Sequence, residues 1–380
     1  MAKLTSTSGI LGVVLTAAGA FAQCQLPPAP GQGVPDATFD AFTTQNGPGW
    51  TGGDGTYSLR LPDGRALWLW SDSYIGAVDP ATRLRPNWLF TAHNSLTIQT
   101  GPTTVRTVGF PPQTTSYFVP PNPANWFWQG AGFVAPTPPG VFKIKIMLLE
   151  WTGVFQFQGN SVATLSYPGF TIDSIEPVAL PDLSIQWGSQ FLRVGSYLYM
   201  YGIKDPGTWQ KLPYVARMKS VNDLTNSAVW EYWNANSRTW VSDQANATAL
   251  TGVPAITNEY SVTRHNAATG PFYIMTGMDT WEPPYPGWKN VAMYYACQPQ
   301  GPWQKRAIVY EAPEAGAPGC LTGTLYTYNP KIHPEFTNAN GLLVSYNVNA
   351  SVGQDLHCAD DYKPRFIRVP IEGLVVLQPR

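Results

Sequence analysis

One hairpin pattern recurs along the chain and constrains the fold more than any other feature of the sequence. It is clearest in TYSLRLPDGRALWLW (56–70), where the tight-turn sequence LPDGR separates two runs of strand-forming residues. Four weaker copies occupy residues 126–151, 185–204, 257–281 and 327–349, and most are followed by a further strand candidate. A unit therefore recurs about every 55–75 residues, and each unit has the strands of one small antiparallel sheet.

Five such sheets predict an all-β fold, a five-bladed β-propeller with four-stranded antiparallel blades around a central channel. The 36 prolines and 35 glycines separate short runs of Tyr, Trp, Val, Ile and Leu, and no long amphipathic helix interrupts them. A β-sandwich is the alternative fold. It would explain the strands, but it would not explain five comparable hairpins spread over the whole length.

The first residues indicate export. They contain one early lysine, the apolar run ILGVVLTAAGAF and a small-residue pattern, so residues 1–22 are predicted to be a secretory signal peptide. Residues 23–37 form a Pro/Gly-rich arm, and residues 38–380 are expected to be a single propeller domain. No later segment has the ~18 consecutive apolar residues of a transmembrane helix. We therefore expect a secreted, extracellular protein with no membrane partner, and the glycosylation motifs at Asn246 and Asn349 fit secretion.

Charge and cysteine content exclude several classes of partner and site. Charged residues make up 12% of the chain, the net charge is −1 and there is no basic cluster, so nucleic acid is not an expected partner. The cysteines lack the CxxC and CxxH spacings of zinc sites, so no metal is expected. In an exported chain the four cysteines predict two disulfides, for which three pairings exist. We expect Cys297–Cys320 as a local bridge and Cys24–Cys358 between the arm and the C-terminal region.

Two aspartates lie at matching ends of the first hairpin. In a propeller, the first strand of each blade begins at the ligand-binding face and the second strand returns to it. Asp54 and Asp72 each lie nine residues from Asp63 in the turn, so a symmetric register makes them cross-strand neighbours, about 5 Å apart at the backbone. A slip of one residue would turn one of them to the other face. The structural alternatives are a turn residue for Asp54 and a loop cap for Asp72.

The same rule places side chains from the other blades at this rim. Glu259 and Asp279 are equidistant from Thr269, which repeats the acidic pairing in the fourth hairpin. Several of these residues have a structural alternative. Glu150 and Asp279 could be supporting or solvent-exposed residues, and His333 could be a hydrogen-bonded histidine at a strand end. His93 and Asn94 could simply begin the third strand of blade one. The expected rim residues are Trp128, Gln129 and Glu150 of blade two, Gln186, Trp187 and Lys204 of blade three, Glu259, Tyr260 and Asp279 of blade four, Asn329, Lys331 and His333 of blade five, and His93 and Asn94 of blade one.

Carboxylates surrounded by Trp, Tyr and Gln are what glycosidic cleavage requires. One protonated acid gives a proton to the leaving oxygen, and one ionised carboxylate attacks or activates water. Neighbouring like charges raise the pKa of one carboxyl and so keep it protonated. Asp54, Asp72 and Glu259 are therefore the catalytic candidates, and the other rim residues are candidates for substrate binding. A GxSxG serine elbow and phosphate-binding loops are absent from the sequence.

Several segments carry a family resemblance: GDGTYSLRLPDGRALWLWSDSYIG, AHNSL, LPYVARM, NEYSV, YNPKIHPEF and GLLVSYNVN. With these the chain resembles the five-bladed β-propeller glycoside hydrolases, and most closely a family long known as a domain of unknown function and later tied to endo-acting D-arabinanases of mycobacterial cell-wall arabinan. The resemblance implies Asp54 and Asp72 as the catalytic pair and Glu259 as an acid from a later blade. Related arabinan- and xylan-cutting propellers take their three acids from different blades, so their inverting outcome is not carried over.

The resemblance also bears on cofactors and partners. Some related propellers hold a calcium ion in the channel near a histidine, a position that His333 would match, and no other cofactor is expected. The expected partner is a polysaccharide or oligosaccharide, such as a furanose-containing, arabinan-like wall polymer, and the expected state is a monomer. The alternative function is a non-catalytic carbohydrate-binding or adhesion propeller. A sialidase-type or lyase propeller is disfavoured, because arginine is scarce at the blade starts.

Overall fold

The computed structural model describes residues 24–87, 89–111, 115–138, 140–253, 256–268, 270–281 and 288–376. The predicted signal peptide and the predicted turn residue Thr269 lie outside these ranges. Within them no helix is long and apolar enough to cross a bilayer.

The described strands form five main sheets and one short ladder. The N-terminal elements are β1 (Val34–Pro35), α1 (Ala37–Thr43) and β2 (Gly49–Gly53). Blade one contains β3 (Tyr57–Arg60), β4 (Ala66–Trp70), β6 (Ser95–Gln99) and β7 (Val105–Thr107), and β5 (Ser73–Gly76) leaves this sheet to pair with β2. Blade two contains β8 (Asn125–Pro136), β9 (Phe142–Thr152), β10 (Gln156–Ser166) and β11 (Ile172–Pro177).

The remaining blades follow in chain order. Blade three has five strands, β12 (Ile185–Val194), β13 (Tyr197–Lys204), β14 (Leu212–Met218), β15 (Glu231–Asn234) and β16 (Thr239–Val241). Blade four has β17 (Ser261–Ala267), β18 (Gly270–Met278), β19 (Asn290–Ala296) and β20 (Gln304–Glu311). Blade five has β21 (Leu325–Asn338), β22 (Gly341–Ala350) and β23 (Pro364–Val369).

The blades close into a ring through their first strands and through the chain's N-terminal segment. The first strand of each blade contacts the first strand of the next, in the order β3, β8, β12, β17, β21 and back to β3. Blade five is completed by β1, where Val34 pairs with Arg368 of β23. The predicted all-β, five-bladed propeller is therefore confirmed, and its last blade combines strands from both ends of the chain.

Large apolar side chains explain why these segments become blade strands. Every residue of β4 is buried, because each blade is covered on both faces by its neighbours. Trp50 and Trp70 stack with ring centroids 4.3 Å apart, and Trp68 stacks on Trp70 at 5.6 Å. Much of the chain's tryptophan therefore serves packing, which leaves a smaller set of rings for a ligand.

Helix α1 seals the junction between blades one and five. Asp36 caps it by accepting hydrogen bonds from the backbone N–H groups of Thr38 and Phe39. The helix then buries Phe39 and Phe42 against Trp68. A short helix thus covers the seam at which the two ends of the chain meet.

The disulfides differ from the expected pairing. Cys24 bonds to Cys297, and Cys320 bonds to Cys358. Both expected pairs were wrong, because the N-terminal arm runs along blade four, where the Gly33 N–H donates to the Val309 carbonyl at 2.6 Å. The arm is therefore bonded next to β19, and the second bridge joins the loop before β21 to the segment before β23.

Candidate active site

A cavity of about 640 Å³ opens at the end of the channel where the first strands begin. Its lining follows the blade rule, since it draws on the starts of first strands and the ends of second strands. Its carboxyl groups are Asp54, Asp72, Asp205 and Glu259, and its aromatic lining includes Trp128, Trp151, Phe155, Trp288, Tyr326 and Tyr328. Acid–base groups and flat apolar surfaces thus face the same space.

The first hairpin has the symmetric register that its sequence predicts. Tyr57 pairs with Leu69, and beyond the strand ends Gly53 pairs with Ser73. Asp54 and Asp72 consequently lie opposite each other, and the Asp54 N–H donates to the Asp72 carbonyl at 3.3 Å. Both aspartates line the cavity.

The backbone around Asp54 is held in an unusual conformation. Gly55 has φ +74°, and a Cβ there would lie 2.8 Å from the Ser71 hydroxyl, so the position requires glycine. Thr56 is also left-handed at φ 47°, and Asn347 donates a hydrogen bond to its hydroxyl at 2.7 Å. The GGDGT segment therefore acts as a rigid corner that presents Asp54 to the cavity.

Asp54 is the carboxyl with the most perturbed acidity at this site. One oxygen, Oδ2, accepts a hydrogen bond from the Tyr328 hydroxyl at 2.8 Å, while Oδ1 is buried without a hydrogen-bond partner. Burial, with the negative charges of Asp72 and Glu259 nearby, raises the pKa of Asp54 to about 8. Asp54 is therefore mainly a carboxylic acid at neutral pH.

Asp72 is held as a hydrogen-bond acceptor. The Trp128 indole N–H donates to its Oδ1 at 3.0 Å, and the His93 Nδ1 lies 2.8 Å from the same oxygen. The Tyr362 hydroxyl donates to the Asp72 backbone carbonyl at 3.0 Å. This anchoring through one oxygen fixes the orientation of a carboxylate that is still partly exposed to the cavity.

Glu259 comes from the segment before β17, about 190 residues away from the first hairpin. Its Oε2 accepts a hydrogen bond from the Lys331 ammonium at 2.6 Å, and the Tyr57 hydroxyl also bonds to its carboxylate. The Asp54 and Asp72 pair of blade one therefore shares a cavity with Glu259 of blade four, and each of the three carboxyl groups has its own set of supporting residues.

The match to a known family covers most of the chain. A family model described as a domain of unknown function, DUF5005, matches residues 36–371. The chain belongs to the DUF5005 family. Among curated proteins, none matches its sequence.

Solved structures are similar to this DUF5005 chain over most of its length. A candidate hydrolase from Bacteroides ovatus ATCC 8483 is 21% identical with a TM-score of 0.71, over 90% of this chain and 93% of the other. A GH43 β-xylosidase/α-arabinofuranosidase from a compost microbial metagenome is 13% identical with a TM-score of 0.47, over 93% and 98%. The endo-arabinase of Bacteroides thetaiotaomicron VPI-5482 is 10% identical with a TM-score of 0.44, over 86% and 95%. At these identities none of the three assigns an activity to the DUF5005 chain.

Four of the other predicted rim residues also line the DUF5005 cavity: Trp128, Gln129, Gln186 and Asn329. Gln129 is almost fully buried, and its amide N–H₂ donates to the Ser95 carbonyl at 3.1 Å while its oxygen has no partner. His93 lies at the edge of the site, with about half of its side chain exposed, and reaches it through Asp72.

Three predicted binding residues belong to the core instead. Trp187 is fully buried and donates to the Gln244 side chain at 3.2 Å, and Tyr260 is fully buried and donates to the Gly202 carbonyl at 2.8 Å. Asn94 is buried and bonds to the backbone of the loop and strand that follow it. Placing these side chains at the rim was wrong, because each neighbours a rim residue but points to the opposite face of its strand or loop.

His333 is a packed channel histidine. Its side chain is almost fully buried. One ring nitrogen lies 2.5 Å from the Ser58 hydroxyl, the other lies 2.9 Å from the Ser345 hydroxyl, and the ring packs on Trp68. Burial lowers its pKa well below the ordinary value. These described neighbours are not the carboxylate-rich oxygen set that calcium prefers, so they do not fit the calcium site that the resemblance implied.

The two remaining acids lie outside the cavity. Glu150 accepts a hydrogen bond from the Asn125 side chain at 2.5 Å. Asp279 pairs with Arg306 at 2.5 Å. In blade four Ala267 pairs with Gly270, so the hairpin is centred half a residue before Thr269, and Asp279 no longer lies opposite Glu259.

Some cavity residues were missed in the sequence. Asp205 directly follows β13 and pairs with Lys211 at 2.6 Å, so the rule that found Asp72 at the end of β4 would also have found it one residue after Lys204. Asn349 was assigned to glycosylation, yet it lines the cavity near the end of β22 and donates to the Tyr328 hydroxyl at 3.3 Å.

Proposed function

We propose that this DUF5005 protein is an exported glycoside hydrolase that cleaves a furanose-containing, arabinan-like or other cell-wall polysaccharide by carboxylate acid–base catalysis. The observation that carries the proposal is the convergence of Asp54, Asp72 and Glu259 in one aromatic-lined cavity. This is the chemistry that hydrolysis of a glycosidic bond needs, and the aromatic faces suit stacking against sugar rings.

The three carboxyl groups divide the work. Asp54 donates its proton to the glycosidic oxygen as the bond between that oxygen and the anomeric carbon breaks. Asp72, held through one oxygen, either takes a proton from the attacking water or bonds to the anomeric carbon itself. Glu259 is the third carboxylate, and its negative charge helps to keep the proton on Asp54.

Export is supported by the cysteine chemistry. The two disulfides join residues that are 273 and 38 positions apart in the chain, and structural disulfides persist in oxidising, extracellular compartments. An exported hydrolase would meet its polymer outside the cell, as a monomer in this proposal.

A polysaccharide panel tests the function. Purified protein is incubated with D-arabinan, plant arabinan, xylan and galactan, and the products are sized, with the anomeric configuration of the first product followed by NMR. We expect shortened oligosaccharides from one polymer, and the anomer tells whether Asp72 activates water or bonds to carbon. Sugar binding by calorimetry with no product after prolonged incubation would favour the binding-only propeller instead.

A further inference from the structure

A buried cation lies behind the cavity lining, in contact with the lining residues Glu259 and Tyr57. Lys331 lies on β21, its side chain is 2% exposed, and its ammonium donates to Glu259 at 2.6 Å. The same ammonium lies 4.1 Å from the centre of the Tyr57 ring. A lysine enclosed by a carboxylate and an aromatic face is costly to bury, because its charge loses the solvation of water.

A β-bulge in β21 sets the orientation of the Lys331 side chain. Tyr328 pairs with Asn347 and Lys331 pairs with Ser345, so β21 has one extra residue between these two pairs. Residues three apart in a regular strand face opposite sides, but the extra residue turns both side chains toward the carboxyl groups of Asp54 and Glu259. Asn329, with φ 51°, accommodates the bulge.

Tyr328 and Lys331, the two residues whose side chains this bulge orients, contact different acids. Tyr328 donates to Asp54, and Lys331 donates to Glu259. A neutral hydroxyl therefore faces the carboxyl with the raised pKa, and a full positive charge faces its neighbour. The bulge thus builds an electrostatic difference between two carboxyl groups that share one cavity.

We propose that Lys331 is a positioning residue that holds Glu259 as a carboxylate and so leaves the single proton of the cluster on Asp54. The negative charges of Asp72 and Glu259 disfavour ionisation of Asp54, and a cation beside one carboxyl group favours the ionised form of that group. Without Lys331 the set of Asp54, Asp72 and Glu259 takes up a second proton near neutral pH, and that proton goes to Glu259.

The groups around Glu259 leave this role to Lys331. The charged and titratable groups that face it are Lys331 from β21, Tyr57 from β3 and Asp54 from the corner before β3, with Tyr260 beside it in sequence. Of these, Lys331 alone is a cation. Burial lowers the pKa of Lys331, and the negative charge of Glu259, together with that of Asp54 when it is ionised, opposes that shift.

The protonation claim is tested by carbon-13 NMR on the whole protein labelled at the Asp and Glu side-chain carboxyl carbons. In the parent at pH 7, Glu259 should have the chemical shift of a carboxylate and Asp54 that of a carboxylic acid. The reverse assignment would overturn the proposal without any variant, so the test does not depend on a substitution that folds.

Variants sharpen the test. In Lys331→Met the Glu259 signal should move to the protonated position near neutral pH, whereas Lys331→Arg should keep it ionised. Lys363→Met is the matched control, because Lys363 is also buried and pairs with Asp360 at 2.8 Å. A Glu259 signal that stays ionised in folded Lys331→Met would contradict the proposal.

The kinetic consequence rests on the proposed function. Lys331→Met should move the acidic limb of the kcat/KM profile to higher pH by about one unit or more, and Lys331→Arg should restore most of it. An unmoved limb in an active Lys331→Met enzyme would overturn the proposal. A parent that hydrolyses no polysaccharide would remove the function and leave the NMR result standing.

Discussion

Blade one and blade four begin with hairpins that look alike in sequence and arrange their acids differently. Each has an acid before its first strand and another after its second, at equal distances from the expected turn. In blade one the two acids are cross-strand neighbours in the cavity, whereas in blade four only Glu259 reaches it. The comparison teaches that hairpin register, and not the count of acids, decides what a blade contributes.

Turn chemistry explains the difference in register. In blade one the Leu61 N–H donates to the Arg65 carbonyl at 2.8 Å, and Asp63 binds both the backbone and the guanidinium of Arg65. The central Gly64 is left-handed at φ 87°. The segment HNAATG of blade four has no comparable Asp-Gly signal, so its centre could not be fixed from spacing alone.

The largest expected effect is a loss of activity when an acid of the first hairpin is replaced, compared with little change when Asp279 of the fourth hairpin is replaced. Asp54→Asn and Asp72→Asn should each lower kcat/KM about a thousandfold, because each removes an acid–base or attacking group. Asp279→Asn is the matched control from blade four and should retain activity within about twofold, since its partner is Arg306. Equal losses in all three variants would mean that register does not sort these acids.

The next effect follows from the acidity of Asp54. Its pKa of about 8 means that the protonated acid is present below that pH and is lost as the pH rises through it. Activity should therefore fall about tenfold per pH unit above roughly pH 8. A rate profile over pH 5–10 checks this, and a basic limb well below neutrality would contradict the assignment of Asp54 as the acid.

A smaller effect concerns stability in blade four. Asp279→Ala removes the buried partner of Arg306, whose own side chain is largely exposed to water, and should lower the free energy of unfolding by only about 1 kcal/mol. Urea denaturation measures the change. Unchanged stability together with lost activity would place Asp279 in the site and reverse the comparison.

The smallest expected effect is a shift in the pKa of Asp54 in blade one, with both of the blade's acids kept. Tyr328→Phe removes the hydrogen bond that favours ionised Asp54. The pKa of Asp54 should rise, and the basic limb of the rate profile should move up by about half a unit. A shift to lower pH would show that Tyr328 does not act on the ionised form.

The sequence predicted the parts that local chemistry determines. Five hairpins implied five blades, and the symmetric LPDGR turn implied that Asp54 and Asp72 are neighbours. These inferences work because turn residues and strand alternation act over a few residues.

Long-range features escaped prediction. The bulge that brings Tyr328 and Lys331 to one face depends on pairing with β22, and no short sequence motif predicts it. The disulfide partners depend on the path of the arm along blade four. Which face a rim residue presents, as at Trp187, depends on packing between blades.

A crystal structure of the Glu259→Gln variant with a bound oligosaccharide tests the central claim most directly. The account predicts that the sugar fills the cavity, with the scissile oxygen in hydrogen-bond reach of Asp54 and the Asp54 and Asp72 carboxyl groups separated by about 5–10 Å. A sugar bound on another surface, or two aspartates turned away from the glycosidic bond, would contradict it.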